Sequence, residues 1–269
     1  MQQVNKLKYS SINCKAFQMV KAHQQILRTC IMIVTIILMI AQTSYAQEQI
    51  SFQSLDGLEI TADLYKSSHA NSTVIILFHQ ARSSRGEYRN IAPRLVKMGY
   101  TTLAVDQRSG DQFNKIRNET AERAQQQNLA AEFTDALPDM RAAIQYARTT
   151  LDAEKILIWG SSYSASLSLV IAGQNLESIE GVFAFSPGEY FRGAPSVAKA
   201  AKTISVPTFI TAAKSETRHW KNIFEALPKQ NIKTGFVPSK SGKHGSSALF
   251  SPNAAEYWRA VETFLKTNF

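Results

Sequence analysis

Cysteine is almost missing from this sequence. The 269 residues include two, Cys14 and Cys30, both ahead of residue 47, so the rest of the chain has no disulfide, no thiol nucleophile and no cysteine metal site. No two histidines stand at a metal-ligand spacing on a recognisable helix or turn, so neither a metal nor a cofactor is expected. Also missing is an apolar run of membrane-spanning length: the core formed by residues 30–41 falls short of the roughly 20 residues that a span requires. There is no internal repeat and no low-complexity tract.

Residues 1–46 contain no acidic side chain. They carry a basic leader (Lys6, Lys8, Lys15, Lys21, Arg28), then the apolar core, then Ser44 and Ala46 as small residues at the two cleavage positions. That layout is an export signal. A signal peptide over 1–46 is expected, with cleavage after Ala46 and a periplasmic or extracellular product that keeps no stable membrane anchor. Cys30 precedes the apolar core instead of following it, which argues against a lipid-modified cysteine. The overall charge of +9 then overstates the case: residues 47–269 hold 25 basic and 21 acidic residues, a net +4, which gives no argument for nucleic acid. These 223 residues are enough for one sizeable core and too few for two ordinary domains.

Alternating segments on either side of Asp56-Gly57, within residues 50–65, predict an antiparallel hairpin. Apolar strands are expected at 73–78, 101–105, 155–159, 181–185, 206–211 and 233–237. Between them come helices at 85–98, opened by a Ser84/Glu87 capping box, and at 133–151. Another follows the turn at 160–164, with Leu167, Val170 and Ile171 at helical spacing, and a last amphipathic helix covers 254–266. Residues 111–127 read as one long irregular connection. Alternating strands and helices imply a mostly parallel sheet covered on both faces. About twenty residues separate the strands at 181–185 and 206–211, which excludes a large lid.

The central strand breaks at Gly160-Ser161-Ser162-Tyr163-Ser164, a G-x-S-x-S run in a strand-turn-helix context. A serine hydroxyl is a useful nucleophile only when a sharp turn holds it out of the backbone, beside a base and oxyanion donors. Such a turn needs small residues two before and two after the nucleophile. Gly160 and Ser164 meet that need around Ser162; Trp159 denies it to Ser161, and Ser164 has no glycine ahead of it. Further candidates lie just past other strand ends, where ligands collect in such sheets. They are His79-Gln80, Glu189, Glu216 and His244. His69 and His219 have no matching context.

This set of residues, in the order serine, acid, histidine, resembles the α/β-hydrolase superfamily, and its compact lidless form is similar to the dienelactone-hydrolase-related branch over about residues 50–269. The resemblance implies Ser162 as nucleophile, His244 as general base and Glu216 as the carboxylate that orients it, with Glu189 the alternative acid. It also implies an oxyanion hole built from the backbone N–H groups of Gln80 and Tyr163, with Asp106-Gln107-Arg108-Ser109-Gly110 as an architectural stretch. His79, Tyr190 and Trp220 are candidate pocket walls. The chain departs from the family pattern at Ser164, at Gln80 and at Ala212-Ala213, where glycine, glycine and His-Gly are usual. It also carries serine where typical dienelactone hydrolases carry cysteine, which favours ester hydrolysis. The expected activity is cleavage of a small-molecule carboxylic ester through an acyl-enzyme. The alternatives are a peptidase of the same fold and a non-catalytic binding protein.

Overall fold

In the computed structural model, residues 47–68 and 72–269 are described, together with positions 25, 28 and 29; apart from those three positions, the expected signal peptide lies outside the described residues, as does His69. Asp56-Gly57 turns the chain between β1 (Gln47–Gln53) and β2 (Glu59–Tyr65), with Gly57 at φ 88° where a side chain would be strained. The other strands of the main sheet are β3 (Thr73–Phe78), β4 (Thr101–Val105), β7 (Lys155–Ser161), β8 (Gly181–Phe185), β9 (Thr208–Thr211) and β10 (Lys233–Phe236). A separate two-stranded ribbon, β5 (Gln112–Phe113) and β6 (Ile116–Arg117), follows β4. The main sheet has the order β1-β2-β4-β3-β7-β8-β9-β10, with β1 and β2 antiparallel and all pairs from β4 to β10 parallel.

Both faces of the parallel part are dry, which is why its strands read as unbroken apolar runs. Val74, Ile76, Phe78, Ile156 and Ile158 belong to one core, and Ile75, Leu77, Leu157 and Trp159 to the other. Helices α1 (Ala92–Lys97) and α7 (Ala254–Asn268) cover the second face. The first is covered by α3 (Leu137–Thr149), α4 (Tyr163–Gln174), α5 (Val197–Ala201) and α6 (Thr217–Ala226). Each fully buried large side chain contributes about 1.5–3 kcal/mol by leaving water, and in the second core Trp159 stacks on Phe185 with ring centroids 4.5 Å apart.

Two stretches differ from expectation. The helix expected over 85–98 is a 3-10 turn at Arg85–Tyr88 followed by α1, which has a proline in its first turn. Only half of the capping box forms: the Ser84 hydroxyl accepts from the Gly86 N–H, while Glu87 turns inward and is fully buried. The connection at 111–127 is ordered. It forms the β5–β6 ribbon and then α2 (Glu119–Gln126), whose N-cap Asn118 accepts from the Ala121 N–H. Buried Arg85 anchors this insertion by pairing with Asp63, Asp106 and Glu119 at 3.1, 2.5 and 2.8 Å. The local pattern missed it because its order comes from these long-range ion pairs. Among the described residues, no helix is long and apolar enough to cross a membrane.

Candidate active site

At the end of β7 the chain turns into α4 within one residue. Ser162 sits at φ 60°, ψ −121°, a conformation that costs a non-glycine residue on the order of 1–3 kcal/mol. A Cβ on Gly160 would collide with the backbone of Ser164 and Ala165, so the turn needs glycine there. The strain holds the Ser162 hydroxyl out of the backbone, at the N-terminus of a helix whose first N–H groups have no acceptor within it.

The loops after β9 and β10 bring the two partners. His244 Nε2 lies 2.7 Å from Ser162 Oγ, and His244 Nδ1 lies 2.6 Å from Glu216 Oε1. A carboxylate only accepts, so Nδ1 carries the proton and Nε2 accepts from the serine. The second Glu216 oxygen accepts from Ser186 Oγ at 2.7 Å and from the Ala213 N–H at 3.3 Å. Burial works against the Glu216 charge, but the hydrogen bonds from His244 and Ser186 outweigh it and hold the carboxyl below its ordinary pKa. The bond to Glu216 raises His244 above the usual imidazole value of 6.5, against a partial penalty from burial.

Ser186 was not singled out from the sequence, yet it ties the acid to the histidine loop, because its Oγ also accepts from the Gly245 N–H at 2.8 Å. The next residue, Ser246, is held by Trp159 Nε1 on its side chain and by Ser161 Oγ on its N–H, each at 2.9 Å. The histidine loop is thus pinned to β7 and to the end of β8.

Three of the expected roles need correction. The N–H of Gln80, expected in the oxyanion hole, donates to Glu87 Oε2 at 2.8 Å and is not free for a substrate oxygen. His79, a candidate pocket wall, is wholly buried. Its Nε2 accepts from the Gln107 N–H and Asn118 Nδ2, both at 3.1 Å, its Nδ1 donates to the Gln80 carbonyl at 2.8 Å, and burial lowers its pKa to about 4. Trp220 packs in the first core at 5% exposure instead of lining the mouth. Tyr190 does lie at the site: its hydroxyl donates to the Ser186 carbonyl at 2.8 Å, and burial, with the Glu216 charge, pushes its pKa to about 12.

The competing residues are occupied elsewhere. Glu189 accepts from the Val197 and Ala198 N–H groups at 2.9 and 2.7 Å and caps α5. His219 accepts from Arg218 Nε at 3.2 Å on the surface, while the Glu216 carboxylate is engaged by His244 and Ser186. Ser161 donates inward to Glu87 at 2.7 Å. Ser164, which stands in the place of the usual glycine, donates to the His79 carbonyl and accepts from Gln107 Nε2, both at 2.6 Å. Ser164→Ala strands two buried groups, so we expect it to lower unfolding stability by about 1–3 kcal/mol while leaving kcat near the native value. Denaturant titration beside a kinetic assay checks this; a large kcat loss at unchanged stability is the contrary result.

A nucleophile elbow at the carboxyl end of a parallel sheet, with histidine and acid supplied by later strand ends, defines a hydrolase of the α/β-hydrolase fold. A family model described as the dienelactone hydrolase family matches residues 60–246, and the chain belongs to that family. Among solved structures, an esterase of Pyrococcus furiosus is similar at TM-score 0.67 and 17% identity, over 83% of this chain and 93% of that one. A dienelactone hydrolase from Anabaena variabilis is similar at TM-score 0.63 and 17% identity, over 81% of this chain and 95% of that one. An acylaminoacyl peptidase from Pyrococcus horikoshii is similar at TM-score 0.62 and 15% identity, over 86% of this chain and 42% of that one. At such identities the likeness is one of fold. No curated protein sequence matches the chain.

Proposed function

We propose that the protein is an exported serine hydrolase that cleaves a small-molecule carboxylic ester through an acyl-enzyme. The observation that carries this reading is the unbroken hydrogen-bonded chain from Ser162 Oγ through His244 to Glu216, with both links at 2.7 Å or less. His244 Nε2 takes the Ser162 proton as Oγ attacks the ester carbonyl, and Glu216 stabilises the imidazolium that forms. The N–H of Tyr163, at the positive end of α4, supplies one oxyanion donor. With Gln80 committed to Glu87, the second donor is the next N–H along the loop, that of Ala81. The imidazolium returns its proton to the leaving alkoxide. Water, deprotonated by the same histidine, then releases the acid and restores Ser162.

A fluorophosphonate probe is expected to label Ser162 covalently, as read by peptide mass spectrometry, and a panel of short acyl esters, long acyl esters and acetylated sugars identifies the substrate class. An unlabelled Ser162 in folded protein rejects the reading. Export is tested separately: the N-terminus of material recovered outside the cytoplasm of a native-like host is expected at Gln47, and an intact Met1 on cytoplasmic protein rejects it.

A further inference from the structure

Glu87 is a fully buried carboxylate that the reaction described above does not use. Its three partners are neutral donors: the Gln80 N–H at 2.8 Å and Ser83 Oγ at 3.3 Å on one oxygen, Ser161 Oγ at 2.7 Å on the other. Ser161 Oγ in turn accepts from the Ser246 N–H at 2.9 Å. Burying a carboxylate among neutral groups is costly, and the ordinary compensation, an arginine or lysine, is not among these partners. The partners are instead distinguished by where they stand in the chain. Gln80 immediately precedes Ala81, Ser161 immediately precedes Ser162, and Ser246 lies two residues after His244.

We propose that Glu87 is a positioning residue for hydrolysis: its carboxylate holds the oxyanion loop, the nucleophile elbow and the histidine loop to one another from inside the protein. This rests on the ester-hydrolase reading of the same site. Buried Arg85, two residues away, makes the contrast. It pairs with Asp63, Asp106 and Glu119, none of them next to a reacting group, and its role is to anchor the insertion after β4. Only a carboxylate fits at position 87, because every contact is an acceptance divided between two oxygens, and an amide has one acceptor oxygen and an N–H₂ that would face a donor. Gly245 shows how closely the parts fit, since a Cβ there would collide with Ser161 Oγ.

The charge has a second consequence. Burial raises the Glu87 pKa, while the Gln80 N–H, Ser161, Ser83 and the positive charge of His244 oppose it. The ionisable groups coupled to it are Tyr88 on its own turn, Tyr163 on α4 and His244; those acting on His244 are Glu216 first and then Glu87. While it is ionised, Glu87 adds to Glu216 in favouring the imidazolium.

The test uses p-nitrophenyl acetate hydrolysis and the rate of Ser162 labelling by a fluorophosphonate, both across pH, with melting temperature measured alongside. In Glu87→Gln, kcat and the labelling rate are expected to fall about 10- to 100-fold, the scale of a small misplacement of reacting groups, with KM little changed. The acid limb of kcat/KM is expected to move to lower pH, since a negative charge that raised the His244 pKa has gone. A lower melting temperature with native kcat, labelling rate and acid limb would make Glu87 a packing residue and overturn the proposal. Should Glu87→Gln fail to fold, Ser161→Ala decides: it keeps the carboxylate and cuts its link to Ser246, so a fall in kcat of about 10-fold with the acid limb unmoved supports the proposal, and native kcat overturns it. A native protein that neither hydrolyses the ester nor takes the label fails on the ester-hydrolase reading itself, and this inference falls with it.

Discussion

Ser162→Ala is expected to lower kcat by about 10⁶-fold, to the residual rate that oxyanion donors and substrate binding supply without a nucleophile. No neighbouring serine can take over, because Ser161 and Ser164 both spend their hydroxyls on buried acceptors, at 2.7 and 2.6 Å. KM is expected to change little, as the hydroxyl contributes to bond formation and not to ground-state binding. The melting temperature is expected to hold, since the strained turn at φ 60° stays strained with alanine and the lost hydroxyl bonds to His244, itself at the surface. Steady-state kinetics beside thermal unfolding checks this. Retention of fluorophosphonate labelling in Ser162→Ala would move the nucleophile elsewhere.

Glu216→Gln is expected to lower kcat by about 10⁴-fold at neutral pH, the scale seen when a triad acid becomes an amide. The surroundings dictate which way the new amide must turn. Ser186 Oγ and the Ala213 N–H both donate to Oε2 of the native carboxylate, so the amide oxygen takes that place and the N–H₂ faces His244 Nδ1. Nδ1 must then accept, which puts the imidazole proton on Nε2, where it blocks transfer from Ser162. The pH dependence follows with a definite sign. In the native protein the base is active when neutral and its pKa lies above 6.5, so kcat/KM falls as pH drops through that raised value. Without the carboxylate the His244 pKa falls, and the acid limb of the residual activity moves to lower pH. A pH–rate profile of both proteins checks this; an unmoved limb with native kcat would leave His244 working without Glu216. Glu189→Gln is the companion measurement. It weakens the cap of α5 by about 1 kcal/mol and is expected to leave kcat unchanged.

Several features were open to reading because their cause is local. The Asp56-Gly57 turn, the apolar strands buried on both faces and the small-residue elbow around Ser162 each have a physical reason within a few residues of chain. The positions of Glu216 and His244 just past strand ends were enough to nominate them, since parallel strands deliver their following loops to one edge of the sheet. Where local pattern and long-range packing competed, packing won. Ser84-x-x-Glu87 reads as a capping box, but a carboxylate that finds the Gln80 N–H and Ser161 within the fold has no reason to bond its own turn.

The sequence by itself determined the class of fold and nominated Ser162 and His244, with Glu216 and Glu189 left as the two candidate acids, because periodicity and turn chemistry are written in near neighbours. Only the tertiary structure decided which carboxylate reaches the histidine, that the Gln80 N–H is taken by Glu87, and that His79 and Trp220 are interior. Each of these is a matter of direction. Glu216 and Glu189 follow strand ends alike, and what separates them is that one meets His244 while the other meets the N-terminus of α5. Gln80 follows a strand end as the pattern asks, and its N–H is withheld from a substrate because it meets the buried Glu87 carboxylate.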